Sequence, residues 1–147
     1  MAKVVRRTNP DDVADLFVRN ILSDISEILG ECNENQLVET IRYFENKCPY
    51  TGVPLDKEFA LDLVIPQDRV FCGLNLYGNI VPVCIEVYNA KGSKNYKDFI
   101  LNDHKVLANK TIKERKEILE RIEIFRKKSN YDEISMQKKI IAPTGND

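Results

Sequence analysis

The sequence has little that ordinary enzyme chemistry relies on. It carries one histidine, His104, so a Cys–His nucleophile system would rest on that single side chain. Its four cysteines, Cys32, Cys48, Cys72 and Cys84, form no C-x-x-C pair. Free cysteines of this kind usually serve as small packing residues. There is no G-x-x-x-x-G-K-[ST] phosphate loop, no G-x-G-x-x-G and no G-x-S-x-G elbow. No apolar run approaches the length of a membrane span, and no membrane partner is expected. The first residues lack the apolar stretch of a secretory signal, so a cytoplasmic location with reduced thiols is expected. The net charge of -1 lacks the strong basic excess of a protein built only to coat nucleic acid. Any case for such binding rests on local clusters: Lys3, Arg6 and Arg7; Lys91, Lys94 and Lys97; Arg126, Lys127 and Lys128. Runs of this sort are most often solvated surface.

What is present reads as one globular domain. The 147 residues are 43% hydrophobic and 31% charged, a balance that supports a real core. Asn9, Pro10, Asp11 and Asp12 make a strong helix start, with a cap, a proline at the first position and acids at the positive dipole end. Val13, Leu16, Phe17, Ile21, Ile25 and Ile28 follow at helical spacing, and Gly30 is a natural stop. A helix is predicted from about Pro10 to Leu29. Asn33 and Gln36 have the spacing of a capping box. They open a second helix with Leu37, Ile41 and Phe44 on one stripe, ending near Lys47 before the turn Cys48-Pro49-Tyr50-Thr51-Gly52.

The middle of the chain changes character. Phe59 to Ile65 is a short, mostly apolar strand closed by Pro66, and Asn79 to Val83 is a second. Residues from Gln67 to Gly78 read as loop. Cys84 to Ala90 can form a helix that Gly92 ends, and Asn95 to Leu101 forms another turn or two. Thr111 and Glu114 have capping-box spacing again and open a helix to about Lys128, with Ile112, Leu119, Ile122 and Phe125 on its buried side. After Met136 the chain turns polar, and a frayed tail over 136–147 is expected. Two short strands do not hold a sheet alone, so the flanking helices must supply most of the core.

One stretch carries chemistry. It comprises Cys48-Pro49-Tyr50-Thr51-Gly52, then Leu61-Asp62-Leu63-Val64-Ile65-Pro66, then the glycine-containing loop to Asn79-Ile80-Val81-Pro82-Val83-Cys84, then Asn89-Ala90-Lys91-Gly92-Ser93-Lys94. In order and spacing this stretch resembles the HNH endonuclease family, over about a third of the chain. The resemblance implies an α+β fold with a ββα-metal core at 48–99; the helical parts at 9–47 and 100–130, read from the residues themselves, flank that core and are not part of the shared motif. It further implies metal-dependent hydrolysis of DNA phosphodiester bonds, with Mg²⁺ or another divalent cation stabilising the charge that develops on the phosphate. The partner would be DNA, and a homodimer would allow both strands to be cut, as in restriction or phage-type enzymes.

Carried over by position, Asp62 matches the metal-ligand aspartate and Asn79 the asparagine that orients the catalytic histidine. The ligand on the following helix falls at Tyr88 by the commonest spacing, or at Asn89 one residue later. Lys91 and Lys94 match the basic end of that helix, with Lys97 and Arg69 as further phosphate contacts. Leu63 falls where the general-base histidine should stand, and leucine neither accepts a proton nor binds a metal. Loss of a general base removes on the order of 10²–10⁴ in rate. The zinc staple of some members needs four thiolates, but the second position of each pair reads Thr51 and Val87. No structural zinc is expected, and Cys48 and Cys84 are expected as packed neighbours.

Three readings stay open: an altered form of an active nuclease, a relative that kept the fold and lost the chemistry, and an unrelated α+β domain. A non-catalytic nucleic-acid-binding or subunit role fits the second. A protein-interaction module without nucleic acid fits the third, and it predicts an exposed apolar patch on a terminal helix. Taken one at a time, Asp62 is also an ordinary strand-end carboxylate, Asn79 a turn residue after Gly78, Asn89 a solvated helix residue, and His104 a surface or packing residue.

Overall fold

The computed structural model describes residues 10–134; the expected tail and the Lys3, Arg6 and Arg7 cluster lie outside them. The chain is α+β, with six helices and one two-stranded antiparallel sheet among the described residues. Helix α1 spans Pro10–Leu29 and α2 spans Glu34–Tyr43. Strand β1 is Ala60–Leu63 and β2 is Ile80–Val83. Then come α3 (Ile85–Lys91), α4 (Tyr96–Asn102), α5 (Ile112–Lys128) and α6 (Tyr131–Ile134). None of the described helices is long and apolar enough to cross a membrane.

Both predicted capping boxes form. Asn33 accepts from the Gln36 amide at 2.8 Å and Gln36 accepts from the Asn33 amide at 3.0 Å. Thr111 and Glu114 do the same at 3.1 and 2.9 Å. Each pair satisfies two helix-end amides that have no partner within the helix. Helix α2 stops at Tyr43, short of the expected Lys47, because Glu45 and Asn46 both turn left-handed at φ 59°. The Asn46 amide then closes back on the Ile41 carbonyl at 2.9 Å.

The hairpin register pairs Asp62 with Val81 and Leu63 with Ile80. All four residues of β2 are buried, whereas β1 buries Asp62 and leaves Leu61 exposed. Successive strand residues face opposite sides, so β1 sends one carboxylate inward between two leucines. The main core gathers Phe44, Tyr50, Val64, Val81, Val83, Val87, Phe99, Ile100, Ile122 and Phe125. Helix α4 packs on α5, α2 on β2 and α3 on β1. A second, smaller cluster joins Leu22, Leu74, Leu76 and Tyr131.

Two stripes differ from expectation. Ile112 of α5 is exposed, because it sits at the first helical position before the helix meets α4; Ile122 and Phe125 are buried as predicted. In α1 the buried side is Leu22 and Ser26, with Val18, Ile25 and Leu29 beside them, while Val13, Leu16, Phe17, Ile21 and Ile28 face out.

Candidate functional site

Asp62 is the centre of the site. The Tyr50 hydroxyl donates to its Oδ2 at 3.1 Å. The Lys91 ammonium lies 3.2 Å from Oδ1, 3.2 Å from Oδ2 and 2.8 Å from the Leu63 carbonyl oxygen. The turn at Cys48–Gly52 supplies Tyr50, β1 supplies Asp62, and the last residue of α3 supplies Lys91. Lys91 sits four residues after the buried Val87, on the inward side of the helix. Its side chain is 0% exposed and that of Asp62 is 4%.

Burial dominates the electrostatics. It pushes the Asp62 carboxyl above the usual carboxylate range, against the attraction of Lys91. It also pulls the Lys91 ammonium below its ordinary value, against the attraction of Asp62. Burial and the adjacent Asp62 charge drive the Tyr50 hydroxyl well up. Each charged group is thus tolerated only because the other is present.

Lys91 was expected as a surface phosphate contact, and the structure corrects that. An ammonium enclosed by a carboxylate and a carbonyl has no path to a polyanion. The spacing that put it at the basic end of the helix was right; the face was wrong.

Asn79 is buried and works as a clasp. Its Oδ1 accepts from the Ile65 amide at 2.7 Å, and its Nδ2 donates to the Ile65 and Leu74 carbonyls, each at 3.0 Å. Its own carbonyl accepts from the Val64 amide at 2.8 Å. One residue therefore fixes the backbone just after Leu63 and pins the far side of the loop. It does so through main-chain atoms of Val64, Ile65 and Leu74, not through the side chain at position 63.

Leu63 and Tyr88 share a groove of about 560 Å³ with Arg19, Asp62, Gln67 and Ser93. The half-exposed Tyr88 ring forms one wall. The Gln67 Nε2 is buried without a hydrogen-bond partner. Asn89 is solvent-exposed and does not line the groove, so of the two candidate helix ligands Tyr88 is the one beside Asp62. Lys94 and Arg69 are exposed. Lys97 is also exposed and pairs with Glu123 at 3.6 Å.

This arrangement does not fit a divalent cation. Mg²⁺ takes an octahedron of oxygen ligands, and here an ammonium already occupies both Asp62 oxygens. Among the described residues no three His, Cys, Asp or Glu side chains gather as a metal site. Cys84 packs against the core cluster that holds Cys48 and lies 3.9 Å from the Thr51 hydroxyl. His104 is exposed.

Sequence reasoning did not single out Tyr50, Arg19 or Gln67 for this site. Nothing local marks Arg19 or Gln67, which reach the groove through tertiary packing. Tyr50 lies in the turn Cys48–Gly52 that opens the HNH-like stretch, but no role was assigned to it there. Searched against models of known families, the chain matches none, and it matches no curated protein.

Proposed function

We propose that this chain is an HNH-like ββα protein that binds nucleic acid without cutting it. The Lys91 ammonium takes the place of the catalytic cation, and Leu63 takes the place of the general base. The observation that carries the reading is the three-way contact of Lys91 with both Asp62 oxygens and the Leu63 carbonyl. Further support comes from the order strand, long loop, strand, short helix, with Asp62 near the end of β1 and Asn79 just before β2. A fixed internal positive charge keeps the frame intact and leaves no open coordination positions for a phosphate and a water. Cation-bound catalysis and water activation are then absent together. Nucleic acid would lie over the groove, with Arg19, Arg69 and Lys94 toward the backbone.

The test uses supercoiled plasmid with Mg²⁺ or Mn²⁺ and three proteins: wild type, Leu63→His, and Leu63→His with Lys91→Ala. Wild type and Leu63→His are expected to leave the plasmid closed. Nicking by wild type at an enzymatic rate would overturn the reading. Binding is checked by fluorescence anisotropy on a short labelled DNA duplex. Affinity should fall steeply with salt and drop on Arg19→Ala with Lys94→Ala.

A second reading has its own observation. The exposed apolar side of α1 is what a protein-interaction module predicts. Absence of DNA affinity at low salt would favour it.

A further inference from the structure

The groove beside Asp62 is poorly made for a phosphate backbone. Among the described residues that line it, the charged ones are Arg19, Asp62 and Asp68. The Lys91 ammonium cancels Asp62, and Arg19 is balanced by Asp68. Affinity for a phosphodiester chain comes from an excess of cations along its path, and this lining has none. Its volume of about 560 Å³ is instead that of a pocket for one small organic group, roughly 300–1,000 Å³.

The lining suits a flat ring with a polar edge. The Tyr88 ring is 48% exposed and Leu61 45%, with Leu63 and Pro66 continuing the apolar surface. An aromatic face left open in this way can stack on a base of any identity. Asp68 supplies a fixed acceptor. The Val70 and Phe71 amides both donate to its Oδ1, at 3.0 and 2.8 Å, which locks the carboxylate and leaves Oδ2 without a hydrogen bond among the described residues. Gln67 carries a buried Nε2 with no acceptor, a standing cost to the fold. The edges of nucleobases carry the complements of both, amines to donate and carbonyl or ring nitrogen atoms to accept.

We propose that this groove takes one unpaired base, stacked on Tyr88 with its polar edge toward Asp68 and Gln67 and its phosphate at Arg19. The chain then prefers bulged or single-stranded nucleic acid to closed duplex. The proposal rests on the nucleic-acid reading above and names what part of the polymer enters the groove. A paired base would first have to leave its stack, a cost that an unpaired base does not carry.

Fluorescence anisotropy at one fixed salt concentration tests it with three labelled DNAs: a blunt duplex, the same duplex with a one-nucleotide bulge, and one of its single strands. The bulged duplex and the single strand are expected to bind at least about fivefold tighter than the blunt duplex, the low end of what one stacked base contributes. Tyr88→Ala should remove most of that preference, and Tyr88→Phe, which keeps the ring, should retain it. Gln67→Leu should melt at the same temperature as wild type or higher, because it deletes an unpaired buried donor, and yet bind the bulge more weakly. Equal affinity for the three DNAs overturns the proposal and leaves the nucleic-acid reading standing. A preference untouched by both Tyr88→Ala and Gln67→Leu overturns it too. Failure of all three DNAs to bind at low salt overturns both together.

Discussion

The Lys91 ammonium sits astride the Asp62 carboxylate, 3.2 Å from each oxygen, with both side chains removed from water. Burial disfavours both charges, and each is rescued by its partner. Removing one partner should therefore cost far more than removing both. Lys91→Met is expected to lose about 3–5 kcal/mol of stability. The double variant Lys91→Met with Asp62→Leu should recover part of that, the remainder being the Tyr50 hydroxyl left without its acceptor, about 1–3 kcal/mol. Urea melts of the single and double variants check this. A double variant no more stable than Lys91→Met would show that the ion pair is not the source of the loss.

The loop between the two strands depends on Asn79. Asn79→Ala strands the Ile65 amide and leaves the Ile65 and Leu74 carbonyls without their donor, and should cost about 2–3 kcal/mol. The loss should be local in its onset. Hydrogen exchange is expected to speed up at Ile65 in the native state, before global unfolding contributes. Unchanged protection at Ile65 would contradict the clasp.

Arg115 holds the segment between α4 and α5. Its guanidinium donates to the Ile100, Asp103 and Leu107 carbonyls at 2.8, 2.8 and 2.6 Å. Lysine cannot reproduce that planar fork. Arg115→Lys is expected to lose about 2 kcal/mol, and Arg115→Ala more, since it removes a donor from the Ile100, Asp103, Leu107 and Lys110 carbonyls. Limited proteolysis should move to residues 103–110 in both variants while wild type resists there.

Asp103 sets an acid limit. Burial alone would raise its carboxyl, but the Leu107, Lys105 and Val106 amides, with the Lys94 charge nearby, hold it below the usual carboxylate range. A carboxyl lowered by folding stabilises above its unfolded value and loses that contribution as pH falls through its folded value. Wild type should therefore lose stability below about pH 4. Asp103→Ala should be weaker than wild type at pH 7 by about 1–2 kcal/mol, and the gap should narrow as the pH falls below about 4. Thermal melts across that range measure it; a constant gap would mean that Asp103 is not the titrating group.

Much of this architecture was legible. Asn33 with Gln36, and Thr111 with Glu114, mark helix starts because capping is local chemistry. Asp62 and Asn79 were singled out through the resemblance to HNH endonucleases; in the fold each is a buried polar residue held by hydrogen bonds. Lys91 was misread because lysine is so rarely enclosed. Its distance of four residues from Val87 was the available clue to the inward face. Arg19 reaches the groove only through the docking of α1, which no local pattern encodes. Helix α6 is four residues long, too short to leave a periodic signal.

The loop around Leu74 and Asn75 is gripped from both ends of the described chain. The Ser26 hydroxyl of α1 accepts from the Asn75 amide at 3.0 Å, and the Tyr131 hydroxyl of α6 accepts from the Leu74 amide at 2.9 Å. During synthesis, α1 and this loop leave the ribosome long before Tyr131 does. The smaller core must wait, with Leu22, Leu74 and Leu76 short of a lid, until α6 arrives. A nascent chain halted before Tyr131 would present that sticky surface to chaperones, and α6 is the turn that seals it.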